Sequence, residues 1–288
     1  MELYLNNSDS IAIFGSGSLV RKCIQSIRGF SGCKIFVFEK KISGISALEK
    51  QIRKIDHAEY AEVDANVEKR VLEANPKIIF SISNIYLFKD PLISRFPIIN
   101  YHNALLPIHP GRNAEAWTIF SQDNTAGVTW HFVENKVDAG DIILQEKVPL
   151  HDRMTAIQLL SQQARTAHKM FETILTDIFE KHTLKGHRQA ARADVKFHFS
   201  WEKPNDGLLE LSWDTKKISA FLRAMDYGKF TILGKPSLQY QGTPFTWESY
   251  VIERSGDPGG NTRFSFGDGE AVFTGGGLSI KLLGFHKA

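Results

Sequence analysis

The feature that most constrains the fold of this chain is Ile78-Ile79-Phe80-Ser81-Ile82, a run that is apolar at nearly every position. A strand with one face in water alternates apolar and polar residues. A continuous run needs cover on both faces, as in a parallel sheet with helices on each side. Similar runs recur along the chain with room for helices between them: Ile11-Ala12-Ile13-Phe14, Ile35-Phe36-Val37-Phe38, the shorter Tyr60-Ala61-Glu62-Val63, and Ile98-Ile99-Asn100-Tyr101. Helical segments are predicted over residues 19–28, 43–55 and 67–73. This alternation predicts an α/β, Rossmann-like domain with a mainly parallel sheet and its chemistry at the carboxyl ends of the strands. Gly15-Ser16-Gly17-Ser18 is then the first βα turn. It lacks the third glycine of a dinucleotide fingerprint, so no NAD is expected there.

Asn100 and His102 stand at the end of one such run, two residues apart, so their side chains share a strand face. Leu105-Leu106-Pro107 breaks the strand and Pro110-Gly111 turns the chain. Further on comes Val137-Asp138-Ala139-Gly140-Asp141. An amide, an imidazole and a carboxylate meet the demands of formyl transfer to an amine. His102 suits proton transfer near neutral pH, Asn100 can donate to an oxyanion without adding a titrating charge, and Asp138 can orient the imidazole and stabilise its charged form. Taken singly, Asn100 reads equally as a turn residue, His102 as a buried structural histidine and Asp138 as a cap of its own turn. His109, His131 and His151 read as structural or surface residues. His131 lies in the strand-like run Gly127-Val128-Thr129-Trp130-His131-Phe132-Val133, which also leaves it the option of facing the cleft.

Asn-x-His-x-x-Leu-Leu-Pro, then Gly-Val-Thr, then Asp-x-Gly-Asp-Ile-Ile, in that order between about residues 78 and 149, resembles the folate-dependent formyltransferase family. The resemblance implies 10-formyltetrahydrofolate as formyl donor and Asn100, His102 and Asp138 as the catalytic residues. It also implies a folate pocket lined by the loop Ile85, Tyr86 and Leu87 on one side and by Asp138, Ala139, Gly140 and Asp141 on the other. Ordinary loop packing is the other reading of Tyr86 and Phe88.

Residues 152–155 begin a long helix to about residue 181, with apolar positions from Ile157 to Ile178 at helical spacing. Gly186 and the basic, polar stretch after it read as a linker, which places the formyltransferase domain at residues 1–195. Residues 196–288 are richer in Gly and aromatics, with short strand-like runs split by Gly242-Thr243-Pro244, Asp257-Pro258-Gly259-Gly260 and Gly275-Gly276-Gly277, and with a helix over 213–224. Lys203-Pro204-Asn205-Asp206-Gly207, Ser212-Trp213 and Leu222-Arg223-Ala224 resemble the β-rich, OB-like C-terminal module of this family's members that act on methionyl-tRNA and amino-arabinose. A homodimer through this module is one arrangement open to it.

At 288 residues, 42% hydrophobic and 23% charged, the composition is that of a globular chain. No apolar run approaches the roughly 18 residues of a membrane span, and no signal peptide is apparent. Cys23 and Cys33 are the only cysteines and are expected as free thiols, which points to the cytoplasm. No residue spacing suggests a metal site. The net charge of +3 is mild and the cations are scattered, with short clusters such as Lys185 to Arg192, which argues against nucleic acid as a partner. Glu39-Lys40-Lys41-Ile42-Ser43 passes straight towards a helix, without the long basic loop of the tRNA-acting members. The acceptor is therefore read as the primary amine of a small or carrier-bound metabolite, either a nucleotide-linked amino sugar or an aminoacyl group. Aminoacyl-tRNA and water, as in a hydrolase, are the rival acceptors. Arg112 and Asn113 are placed on the acceptor side; Arg112 either meets an acceptor phosphate or carboxylate or pairs with Glu115.

Overall fold

A computed structural model of the chain describes residues 1–41, 46–191, 195–256, 262–267 and 269–288. They form two compact units that interleave in sequence. The first comprises Met1–Pro110, Gly127–Val148 and Gln162–Lys196, and the second Gly111–Ala126, Pro149–Ser161 and Phe197–Ala288. The α-helices are α1 (Gly17–Phe30), α2 (Ala47–Ile52), α3 (Val67–Ala74), α4 (Leu92–Arg95), α5 (Ala114–Phe120), α6 (Ala156–Phe179) and α7 (Thr215–Ala224). The predicted start of α2 at residue 43, the turn 257–260 and the end of the basic cluster at Arg192 lie outside the described residues.

The first unit is built on seven strands: β1 (Ser10–Gly15), β2 (Lys34–Glu39), β3 (Ala58–Glu62), β4 (Ile78–Ile82), β5 (Ile98–His102), β6 (Ala126–Phe132) and β7 (Ile142–Val148). Their order across the sheet is β3-β2-β1-β4-β5-β6-β7. The first five are parallel, and β6 turns antiparallel to β5. β4 is buried at all five positions because both its faces are covered. On one face Ile79 joins a core of Phe14, Phe38, Val71, Leu92 and Phe96. On the other, Phe80 meets Phe171 of α6 edge-on, and Trp130 donates its indole N–H to the Ala167 carbonyl at 3.2 Å. Cys23 and Cys33 are buried free thiols, and burial pushes both pKa values up. No helix among the described residues is long and apolar enough to cross a membrane.

Local chemistry explains where the helices start. The N–H of Thr155 is held by Gln158 Oε1 at 3.1 Å, the reciprocal half of a capping box, so α6 begins at Ala156. Asp214 accepts from the Lys217 N–H at 2.7 Å, so α7 starts after it instead of at 213. Helix α5 was not expected. Pro110, Gly111 and Asn113 carry strong turn signals, and the short helix opens only after Asn113 in the left-handed region at φ 55°.

The second unit carries β8 (Leu208–Leu209), β9 (Ser237–Tyr240), β10 (Thr243–Thr246), β11 (Ser249–Arg254), β12 (Arg263–Gly267), β13 (Glu270–Gly275), β14 (Leu278–Leu283) and β15 (His286–Lys287). They form two four-stranded sheets, β15-β10-β9-β8 and β11-β14-β13-β12, which are the β-rich C-terminal architecture the sequence points to. α5 packs on α7. Glu115 of α5 is buried and accepts the Tyr227 hydroxyl at 2.5 Å, while Lys217 of α7 places its ammonium 3.3 Å from the centre of the Phe120 ring.

The strand order reverses between β1 and β4, and Gly15 stands at that crevice with φ 154°. A Cβ there would lie 1.8 Å from the Ile82 carbonyl oxygen, so only glycine lets the two strand ends close. Gly15→Ala should destabilise the protein by about 1–3 kcal/mol or more by forcing them apart; urea unfolding measures it.

Candidate active site

Four side chains of the first unit meet at the β5–β6 pair. The antiparallel register sets Asn100 opposite His131 and His102 opposite Thr129, so all four point to one face of the sheet. Asn100 Nδ2 lies 3.1 Å from His131 Nε2. The turn after β6 brings in Asp138, held at φ 54°. Its Oδ2 is 3.5 Å from His102 Nδ1 and its Oδ1 is 3.4 Å from His131 Nε2. One carboxylate therefore sits between two imidazoles. His102 and His131 are 4% and 1% exposed, so these contacts are made with little competition from water.

The ring orientations follow from backbone acceptors. His131 Nδ1 donates to the Phe132 carbonyl at 2.7 Å, which in the neutral ring leaves Nε2 to accept an Asn100 amide N–H. The second amide N–H of Asn100 remains a donor for a reacting group. His102 Nε2 donates to the His109 carbonyl at 2.9 Å. Its Nδ1 then carries the lone pair in the neutral ring, beside the Asp138 carboxylate. Burial lowers the His102 pKa below the usual histidine value, and His131 adds to that; Asp138 and the His109 carbonyl pull it up. The imidazole is neutral at rest, and a proton arriving at Nδ1 finds a carboxylate facing it.

Three supports for this site were not legible in the sequence. His131, read mainly as structural or surface, belongs to the cluster; the signal for it is the alternation of Thr129 and His131 with Val128 and Trp130. Thr129 takes the Leu106 N–H at 3.1 Å, donates to the Ala104 carbonyl at 2.6 Å and receives Gln145 Nε2 at 2.8 Å, which ties down the loop after His102. Gln189 Nε2 donates to the carbonyls of both Asp138 and Gly140 at 2.8 Å. Gln189 lies in the stretch read as a linker. That reading is corrected: His187 pairs with Ile142 in both directions, at 2.9 and 2.8 Å, so these residues brace the Asp138 turn. Gly140 is packed so closely that a Cβ would lie 2.0 Å from the Phe132 carbonyl oxygen. Ala139 and Asp141 flank it, half-buried, and the Asp141 carbonyl takes the Phe132 N–H at 2.9 Å.

The loop after β4 is organised by Asn84, whose side chain binds both the N–H and the carbonyl of Tyr86, at 2.9 and 3.0 Å. The Tyr86 ring turns inward, stacks on Phe14 and donates its hydroxyl to Glu68 at 3.1 Å. Burial and the Glu68 carboxylate push its pKa up to about 12. Ile85 and Leu87 are left exposed at 46% and 64%. Arg112 and Asn113 belong to the second unit, where Arg112 is exposed and its N–H donates to the His198 carbonyl at 2.8 Å. Glu115 there receives the Tyr227 hydroxyl.

The electrostatics predict a titration. His102 should lose its proton below the usual value of about 6.5, because burial favours the neutral ring. Asp138→Asn should lower that midpoint further by removing the charge that opposes burial. Imidazole titration by NMR checks both shifts; an upward shift in Asp138→Asn would contradict the geometry.

Comparison with known proteins identifies the family. The chain is 28% identical over 132 residues to a GDP-perosamine N-formyltransferase of Brucella melitensis, covering 46% of this chain and 49% of that protein. It is 30% identical over 179 residues to the trifunctional purine biosynthetic protein adenosine-3 of Bos taurus, covering 58% of this chain and 18% of that one. The match thus spans about half or less of these relatives' length. In fold, an N-formyltransferase from Helicobacter canadensis, solved with folinic acid and dTDP-3-aminofucose, superposes with a TM-score of 0.75 at 16% identity, over 99% of this chain and 100% of that one. A methionyl-tRNA formyltransferase from Clostridium thermocellum superposes at 0.57 and 16% identity, over 94% and 98%. Residues 12–175, more than half of the chain and including the whole Asn100–His102–His131–Asp138 cluster, match the family described as formyl transferase, and the chain belongs to that family.

Proposed function

We propose that this chain is an N-formyltransferase that moves the formyl group of 10-formyltetrahydrofolate to the primary amine of a small or carrier-bound metabolite, with a nucleotide-linked amino sugar as the favoured acceptor. The observation that carries the reading is the buried Asp138 carboxylate set between two imidazoles, with an amide donor on the same strand face. The amino-sugar acceptor is supported by the GDP-perosamine enzyme among the relatives and by the dTDP-3-aminofucose bound to a protein of like fold.

Each residue has a role its surroundings permit. The donor, when bound, supplies an activated formyl carbon to the amine. The free N–H of Asn100 stabilises negative charge developing on the formyl oxygen. His102 takes the amine proton at Nδ1 and returns it to the departing folate nitrogen. Asp138 stabilises the imidazolium in between, and His131 holds the Asn100 amide in its donor orientation. The residues fit a folate. Exposed Ile85 and Leu87 offer an apolar edge, and the Asn84 brace fixes the loop that carries them.

The test follows the absorbance change as tetrahydrofolate forms, with dTDP- and UDP-linked amino sugars, aminoacyl thioesters, charged tRNA and no amine at all. Turnover is expected with an amino sugar nucleotide. Asn100→Ala should lower kcat by about a hundred- to a thousandfold, and His102→Ala by about a hundred- to ten-thousandfold, with circular dichroism unchanged. Wild-type rates in folded Asn100→Ala and His102→Ala would overturn the assignment, and turnover without any amine would replace it with a hydrolase.

A further inference from the structure

Gln163 is a polar side chain in the apolar stripe of α6. It lies one turn from Leu159 and one turn from Ala167, on the row that continues to Phe171, and all four residues are buried. An amide buried in that way costs free energy unless it finds partners. Gln163 Nε2 donates to two backbone carbonyls, that of Asn103 at 2.6 Å and that of Gly127 at 3.0 Å. Gln163 Oε1 is buried with no hydrogen-bond partner among the described residues. The side chain therefore acts through its two N–H donors, and a reversed amide would set its oxygen against both carbonyls.

The place of those two carbonyls matters. The paired register of β5 and β6 runs to His102 opposite Thr129. Just past that pair, Gln163 ties Asn103, the residue after His102, to Gly127 of β6, all within the first unit. The loop that follows is laced to the same strands. Thr129 Oγ1 donates to the Ala104 carbonyl at 2.6 Å and takes the Leu106 N–H at 3.1 Å. Gln145 of β7 donates to Thr129 Oγ1 at 2.8 Å and to the Leu106 carbonyl at 3.0 Å. The Ile108 N–H closes a turn onto the Leu105 carbonyl at 2.9 Å. The loop ends at His109, in the left-handed region at φ 50°, and the His109 carbonyl takes the His102 Nε2–H at 2.9 Å. The chain thus leaves His102 and returns to it within seven residues, and the donors from Gln163, Thr129 and Gln145 fix where it returns. The returning carbonyl decides the tautomer: it keeps the proton on Nε2 and the lone pair on Nδ1, beside Asp138.

We propose that Gln163 is a positioning residue for His102: together with Gln145 it sets the loop 103–109 so that the His109 carbonyl holds the imidazole in the tautomer with its lone pair at Nδ1. This inference rests on the reading of His102 as the proton carrier of a formyl transfer. The experiment compares the full chain with its Gln163→Met and Gln145→Ala variants. Nitrogen NMR of the neutral His102 ring reads the tautomer, steady-state formyl transfer to the amine that supports turnover reads kcat and KM, and circular dichroism is the folding control. Methionine fills a similar space and removes both donors. The wild-type ring should be protonated at Nε2. Gln163→Met should show a mixture of both tautomers, with kcat lowered about ten- to a hundredfold and KM for 10-formyltetrahydrofolate unchanged. Gln145→Ala, at an exposed position, should shift the ring in the same direction by less. A wild-type ring protonated at Nδ1, or an unchanged tautomer in folded Gln163→Met at any kcat, would overturn the inference, as would a mixed ring with wild-type kcat. If Gln163→Met does not fold, Gln145→Ala decides: a mixed ring supports the inference and a ring identical to wild type overturns it. Because NMR reads the ring without turnover, a mixed ring in the variants of a protein that transfers no formyl group would support the positioning of His102 and overturn the enzymatic reading alone.

Discussion

The antiparallel pairing of β5 with β6 is the constraint on which the site depends. Five parallel strands form a doubly wound sheet, whose crevice lies where the strand order reverses between β1 and β4. Reversing the next strand changes what faces what. It sets Asn100 against His131 and His102 against Thr129, so one short ladder supplies a donor, two imidazoles and the hydroxyl that ties down the following loop. A one-residue slip would turn all of them to the opposite face. The slip is resisted by Trp130, which is buried against α6 through Phe171 and the Ala167 carbonyl.

Burying a carboxylate among histidines balances two opposed effects. Desolvation holds His102 neutral, and Asp138 lowers the cost of protonating it. Neither effect alone makes a good proton carrier: a desolvated imidazole resists the proton, and an imidazole pinned to a carboxylate in water keeps it. Together they leave a ring that is neutral at rest and whose charged form has acceptors at both nitrogens, Asp138 and the His109 carbonyl. The brace from Gln189 to the Asp138 and Gly140 carbonyls holds the carboxylate in place, which matters because Asp138 sits in a left-handed backbone conformation on a turn.

The second unit solves its packing differently. One of its buried polar contacts, Glu115 with Tyr227, joins the short helix α5 to the chain just beyond α7. Phe120 and Trp213 pack on the buried ring of Phe221, whereas Phe199 and Trp201 stack on each other while exposed. The chain turns at Phe199 to Glu202, where the Glu202 N–H meets the Phe199 carbonyl at 3.1 Å, just after His198 is approached by Gly111.

Much of the fold was legible because its signals are local. The continuous apolar run at Ile78–Ile82 demanded a covered strand, the i and i+2 spacing put Asn100 and His102 on one face, and the Asp138 turn was marked by its own residues. What could not be read depended on register and on segments distant in sequence. His131 looked like any strand histidine until β6 was paired with β5. Gln189 and His187 looked like linker residues because their partners lie 45 to 51 positions upstream. Helix α5 hid behind turn residues. The sequence by itself determined the periodicities, the strand that carries the amide and imidazole, and the chemistry those groups can perform, since these depend on neighbours along the chain. Only the tertiary structure decided which residues surround the Asp138 carboxylate and how far the His102 proton affinity is lowered, because burial and charge act through space and are set by what packs together.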